Sequence, residues 1–224
     1  MPTVVAANPK GGSGKSTCLL ILATMLAQQG VLTCLIDADP QGTIARWAKG
    51  TSAYRNIVIV PKQTDELAEV IDSHAEKFQF VIIDVQGSAN QEMAAAMSRA
   101  DLVLIPMQAK TADAEVATQS ITLLTRQERL FKRTIPYAVL FMRTNPAIPT
   151  REEKDIQDSI RSRDIPCLTV ALHERTAYSQ LFAQRKSLGE LSAASVNGLP
   201  QASANAVSFT EEVIAMLRKQ RNTA

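Results

Sequence analysis

Histidine, cysteine and aromatic side chains are scarce in this chain of 224 residues: two His, three Cys, one Trp, three Tyr and six Phe. His173 and His74 each stand alone, without a metal-binding or nucleophilic neighbour, so neither reads as a catalytic base. Cys18, Cys34 and Cys167 are isolated in apolar runs and no C-x-x-C occurs. They read as buried, reduced thiols of a cytosolic protein, and they leave an iron–sulfur cluster without paired ligands. There is no aromatic-rich platform for bases and no helix-turn-helix pattern. No apolar run approaches the roughly 20 residues that span a bilayer. Nothing resembling a secretory leader precedes the first apolar run, so the expected location is cytoplasmic. Charge of one sign is also missing: the net charge is +2. Residues 1–110 carry 9 Lys/Arg against 10 Asp/Glu and residues 111–224 carry 15 against 12, a mild basic bias in the second half. With 46% hydrophobic residues, one good core and a single domain over 1–224 are expected.

What is present is concentrated at Pro9-Lys10-Gly11-Gly12-Ser13-Gly14-Lys15-Ser16-Thr17. An apolar run, Thr3 to Ala7, precedes it, and an apolar stretch of helical length, Cys18 to Ala27, follows. A strand-to-helix turn with these glycines can curl until several N–H groups point inward, and the helix N-terminus adds partial positive charge. Gly11, Gly12, Ser13, Gly14 and Thr17 would cradle phosphates, Lys15 would neutralise the inner ones, and the Ser16 hydroxyl is placed to ligate Mg²⁺. The pattern departs from G-x-x-x-x-G-K-[ST], because Pro9 stands where the first Gly belongs. A second lysine, Lys10, enters the loop. Lys10 and Lys15 are too close for both to serve one nucleotide, which leaves one free to act elsewhere.

Apolar runs alternate with helical stretches along the chain. Strands are expected at Thr3–Asn8, Leu32–Asp37, Ile57–Val60, Phe80–Asp84, Leu102–Met107, Tyr137–Met142 and Pro166–Val170. Helices are expected at Ser16–Gln29, Thr43–Lys49, Asp65–Ala75, Asn90–Arg99, Asp113–Leu130, Thr150–Arg163, Thr176–Gln184 and Phe209–Arg218. Strands that are apolar nearly throughout suit burial on both faces. The expected fold is therefore α/β: a three-layer, phosphate-loop NTPase-like domain with a mainly parallel twisted sheet flanked by helices. Ser192–Ser208, rich in Ser, Ala, Asn and Gly, reads as a loop. Pro106 should end the fifth strand, and Thr111 and Asp113 read as caps of the helix that follows.

Ligands of such sheets sit at the carboxyl ends of the strands. Asp37 and Asp39 end the second strand before Pro40 and Gly42; two carboxylates there can hold a Mg²⁺ shell and orient a water. Phe80-Val81-Ile82-Ile83-Asp84 is a hydrophobic strand capped by an acid, the Walker B pattern, with Asp84 on Mg²⁺. In Asp84-Val85-Gln86-Gly87, the Gly87 N–H could bond a γ-phosphate. Arg143 and Asn145 leave the sixth strand, where they could stack on and read an adenine or simply form a polar turn at Pro146. Leu172-His173-Glu174-Arg175 is a second candidate rim for the base. Trp47 reads by itself as a core anchor.

The loop resembles the deviant Walker A box of the ParA/MinD family of ATPases, and Asp37-Ala38-Asp39-Pro40-Gln41 is similar to that family's Walker A′ segment. The likeness is nearest to small ParA proteins of the ParF and VirC types. It implies ATP with Mg²⁺, an ATP-dependent homodimer in which Lys10 reaches the partner's nucleotide, and an Asp39 that positions or activates the attacking water with Asp37 assisting near the metal. Only the resemblance implies that Asp39 to Trp47 is a phosphate-sensing segment. Gln86 departs from the family's usual switch II residues. The resemblance also implies slow hydrolysis until a ParB-like or other adaptor stimulates it. Basic residues toward the C-terminus, here Arg185, Lys186, Arg218, Lys219 and Arg221, would then hold DNA without sequence preference and bring the ATP-bound form to the nucleoid. Read alone, those residues are equally a solvated face or cations at a helix C-terminus. The resulting expectation is an ATPase that partitions or positions a plasmid or other DNA cargo. The alternatives are a MinD-like ATPase that cycles on membranes through Phe209–Arg218, with no stable anchor expected, and an ATP-dependent small-molecule synthetase.

Overall fold

Val4 and Ala6 bury against one face of the first strand and Val5 and Ala7 against the other. The same two-sided burial recurs in the neighbouring strands, and it dictates a sheet covered by helices on both sides. The computed structural model describes residues 1–50, 54–61, 66–87 and 91–221, the last by its backbone alone. Among these, seven strands form one sheet: β1 (Thr3–Ala6), β2 (Thr33–Asp37), β3 (Ile57–Pro61), β4 (Phe80–Asp84), β5 (Leu102–Gln108), β6 (Tyr137–Thr144) and β7 (Leu172–His173). Their order is β3-β2-β4-β1-β5-β6-β7, and every pairing is parallel.

The helices are α1 (Lys15–Gln28), α2 (Thr43–Trp47), α3 (Leu67–Ala75), α4 (Gln91–Arg99), α5 (Thr111–Phe131), α6 (Arg151–Arg161), α7 (Thr176–Gln184) and α8 (Leu199–Arg221). α1, α2, α7 and α8 pack on the face that carries Val4, Leu35, Ile82 and Leu104. α3 to α6 cover the face that carries Val5, Ile36, Ile83 and Ile105. α1 is apolar nearly all round, with Cys18 to Ala27 buried, because it lies between the sheet and α8. α6 is the opposite case, a polar helix started by a capping box between Thr150 and Glu153.

Three expectations are corrected. The segment 166–170 is not the seventh strand; it makes a single bridge, Cys167 to Val139, and β7 forms two residues beyond it. The Glu212 carboxylate of α8 accepts the Thr169 and Val170 amides at 2.7 and 2.8 Å, which takes them away from any ladder. The stretch 192–208 is not a loop throughout, since α8 starts at Leu199. Its Ala202 and Ala206 are fully buried, so small residues there serve close helix packing. Pro106 does not end β5, which runs on to Gln108 with Pro106 opposite Leu140. β1 has ended by that level, and Asn8 Nδ2 donates to the Pro106 carbonyl at 2.8 Å, so the missing proline N–H is not needed. The helix starts expected at Asp65 and Asn90 fall outside the described residues.

Phe209, Val213 and Leu217 of α8 lie in the core at 0%, 0% and 5% exposure. Phe209→Ala should therefore lower unfolding stability by about 3–5 kcal/mol, read from denaturant midpoints. A loss below about 1 kcal/mol would place that side chain at a surface.

Candidate functional site

The chain leaves β1 at Asn8 and turns back into α1 through Gly12 and Gly14, whose φ values are +74° and +100°. These left-handed positions require glycine. A Cβ on Gly14 would also stand 2.7 Å from Met142 Cε. No side chain caps α1, so its first amides remain open to an anion. Asn8, fully buried, fixes the turn: its Nδ2 holds β5 and its Oδ1 accepts the Lys10 amide at 2.8 Å.

The two lysines diverge. Lys15 is 7% exposed and lies over the loop, with Nζ donating to the carbonyls of Asn8 at 3.1 Å and Lys10 at 3.3 Å. Burial lowers its pKa, against the attraction of Asp84 and Asp39. Lys10 turns outward, its side chain 42% exposed, and its ammonium contacts the carboxylate of Asp113 on α5. Neither Thr111 nor Asp113 is the cap expected for that helix. The N-cap residue is Lys110, without a side-chain bond, and Asp113 Oδ2 accepts the Gln108 amide at 3.1 Å instead.

Register brings the carboxylates together. Asp37 of β2 sits opposite Asp84 of β4, and Ala6 of β1 lies on the other side of Asp84. Ser16 Oγ donates to Asp84 Oδ2 at 2.5 Å, and Asp37 Oδ2 accepts the Ala45 amide at 2.7 Å. The second oxygens, Asp37 Oδ1 and Asp84 Oδ1, are buried without partners among the described residues, as is Ser13 Oγ. Burial pushes the Asp84 carboxyl up to about 7, and it raises Asp37 as well. Unpaired buried oxygens beside a serine hydroxyl suit a hard cation such as Mg²⁺, which takes a few protein oxygens and completes its shell with water and substrate phosphates. Ser16, Asp37 and Asp84 are the residues that could hold it.

Above this floor is a cavity of 320 Å³ lined by residues 11–17, Asp39, Gln41, Thr43, Gln86, Gly87, Arg143 and Phe182. Asp39 reaches it from a turn in which its Oδ1 accepts the Gln41 amide at 2.8 Å. Gly87 abuts the loop so closely that a Cβ would stand 2.9 Å from Lys15 Nζ. A second cavity of 260 Å³ adjoins it between Gly14, Thr17, Arg143, residues 172–175, Tyr178 and Phe182. There Arg175 Nε is buried without a partner among the described residues, and Thr144 Oγ1 lies 2.8 Å from His173 Nδ1. Arg143 thus borders both cavities. Asn145 lines neither, and its Oδ1 accepts the amides of Ala147 and Ile148. Trp47 is a core anchor, 3% exposed, and its Nε1 donates to the Lys186 carbonyl at 3.2 Å.

The basic residues separate into two groups. Arg185 and Lys186 follow α7 within one turn of cavity-lining Phe182, and Gly50 packs on Arg185 with no room for a Cβ. Exposed Lys49 beside them adds a cation that the sequence did not single out. Arg218 and Lys219 lie elsewhere. α8 runs from Asn205, bonded to Ala171 and His173, to Glu212, bonded to Thr169, and so away from the carboxyl end of β7. Arg218 is about 9 Å further on. The side chain of Arg221 lies outside the described residues. Reading by residue type missed Asn8 and Phe182 and gave Asp113 only the role of a cap, whereas Arg175 lies where the second candidate rim placed it. Only Asn8 carried a local signal, an amide ending a buried strand directly before the loop.

Comparison with known proteins supplies the family and agrees on the fold. A family model described as the CobQ/CobB/MinD/ParA nucleotide binding domain matches residues 4–188. The chain is similar to Protein ParA of Rhizobium radiobacter, 38% identical over 183 residues, covering 81% of this chain and 82% of that protein. It is also similar to maintenance of carboxysome distribution protein A of Halothiobacillus neapolitanus, 26% identical over 194 residues, with 85% and 88% covered. Among solved structures, apo McdA of Cyanothece superposes with a TM-score of 0.81 at 20% identity, covering 95% of this chain and 99% of that one.

The buried acid has a consequence for pH. The folded, nucleotide-free protein holds the Asp84 proton more tightly than the unfolded chain, whose value is near 3.8. This contribution to stability is full below about pH 4, falls as pH rises and is lost above about pH 7, at most roughly 4 kcal/mol in all. Asp84→Asn removes that slope. Denaturant midpoints of wild type minus variant should decline between pH 4 and pH 8, and a constant difference would show that Asp84 is ionised throughout.

Proposed function

The chain belongs to the CobQ/CobB/MinD/ParA nucleotide-binding family and is an ATPase that uses ATP with Mg²⁺; on that premise we propose that ATP joins two copies into a dimer that binds DNA without sequence preference. The observation that carries this reading is the divergence of the two lysines, one folded over its own loop and one turned outward at its rim.

The amides of residues 11–17 and the Lys15 ammonium take the phosphates, replacing the loop carbonyls that Lys15 now holds. Ser16 and Asp84 would hold Mg²⁺, with Asp37 beside them. The cation, when bound, neutralises charge that develops on the β- and γ-phosphate oxygens. Asp39 orients the attacking water, the Gly87 amide meets the γ-phosphate, and Arg143 with residues 172–175 encloses the base. Lys10 supplies its charge to the nucleotide of the partner copy. A cation completing a phosphoryl-transfer site can be worth about 10³–10⁵ in rate.

Hydrolysis then returns the dimer to monomers and releases DNA, and an adaptor protein of the ParB type sets its timing. Such a cycle partitions or positions a plasmid or another DNA cargo, with the ATP form on the nucleoid and the rest in the cytoplasm. DNA contact falls to Arg185, Lys186, Arg218, Lys219 and Arg221 through phosphates. The membrane-cycling alternative loses its apolar stripe, because Phe209, Val213 and Leu217 are core residues.

Lys10→Ala should bind ATP within about threefold of wild type, since a half-exposed cation contributes little to its own site. It should remain monomeric with ATP under conditions where wild type dimerises, as read by size exclusion. A normal mutant dimer would remove the cross-subunit role.

A further inference from the structure

Asp113 is 1% exposed and faces the one outward lysine of the loop. It is the third residue of α5, where the first-turn amides of a 21-residue helix favour a negative charge. One oxygen accepts the Gln108 amide and the other contacts the Lys10 ammonium. This carboxylate therefore keeps its backbone support when the lysine leaves, whereas Lys10 has no other side-chain partner among the described residues. The contact joins positions 103 residues apart, so tertiary structure makes it and local chain geometry does not.

We propose that Asp113 is a positioning residue that latches Lys10 inside its own subunit and withholds it from a partner copy until ATP is present there. This rests on the cross-subunit role given to Lys10 above. The competition is between anions. A triphosphate with its metal outbids the single carboxylate for the ammonium, and a diphosphate does not, so the latch sets a threshold that distinguishes the two nucleotides. The latch is also tied to the occupancy of its own site. The Lys10 carbonyl accepts from Lys15 Nζ, and a Cβ on Gly87 would stand 3.2 Å from that carbonyl. Phosphates draw Lys15 away from that carbonyl, and a γ-phosphate engages Gly87. The surroundings of the Lys10 carbonyl thus change on loading, while its amide stays on Asn8 Oδ1.

The test uses Asp113→Asn, which keeps an oxygen for the Gln108 amide and removes the charge, and Asp113→Glu, which keeps the charge. Equal denaturant midpoints among the three proteins first establish intact folding. Limited labelling with an amine-reactive ester, without nucleotide, is followed by mass spectrometry of the Lys10 peptide, with exposed Lys49 as internal reference. Lys10 should label about fivefold faster in Asp113→Asn, the order of factor a partly exposed ion pair supplies. Asp113→Glu should stay near wild type. In sedimentation velocity, Asp113→Asn should then dimerise at lower protein concentration with ATP and begin to dimerise with ADP. A role of Asp113 confined to folding moves dimerisation the other way or not at all. Unchanged labelling overturns the latch. Faster labelling with unchanged dimerisation overturns its regulatory role, and if Lys10→Ala also dimerises normally, the cross-subunit reading is what has failed.

Discussion

Charge held out of water at the carboxyl ends of three adjacent strands is the constraint on which this protein depends. Among the described residues, Asp37 and Asp84 each bury an oxygen with no partner, and Lys15 buries an ammonium that makes do with loop carbonyls. Left so, the arrangement costs stability, because unpaired buried polar atoms forfeit their water. A cation held by the acids and a polyphosphate near the lysine would supply those missing partners. The site is therefore more complete with its substrate than without it, and substrate binding has free energy available to rearrange the loops around it.

The fold places those loops where that rearrangement can travel. α2 starts beside the phosphate cavity at Thr43 and ends at Trp47, which is anchored in the core and bonded to the Lys186 carbonyl. One short helix therefore spans from the cavity rim at Thr43 to the backbone of Lys186. On the other flank, Asn8 ties the loop to β5, and Asp113 ties Lys10 to α5. Two flanks of the molecule are thus connected to one cavity, one leading to a basic surface and one to the lysine proposed to cross between copies.

Much of this was legible in the sequence wherever a feature is local. The glycines and lysines of residues 10–17, the acid at the end of an apolar strand at Asp84 and the Asp37-x-Asp39 pair all declare themselves within a few residues. So does the alternation of apolar runs that dictates a two-sided parallel sheet. What was not legible depends on partners far along the chain. Glu212 displaces β7 from 43 residues away, and Asp113 finds Lys10 from 103. The start of α8 was hidden because alanine and serine, which allow close helix packing at Ala202 and Ala206, also compose flexible segments. Residue type suggested one basic C-terminal surface. Topology separates Arg185 and Lys186 from Arg218 and Lys219, since α8 carries the latter away from the nucleotide end.

Fluorescence anisotropy of an arbitrary duplex DNA, titrated with the protein under ATP, ADP and no nucleotide, tests the central claim most directly. The account requires binding with ATP alone, indifferent to sequence, with log K falling by about 0.9 for each phosphate contact per log unit of salt. Equal binding in all three nucleotide conditions, or none with ATP while ATP itself binds tightly, would contradict it.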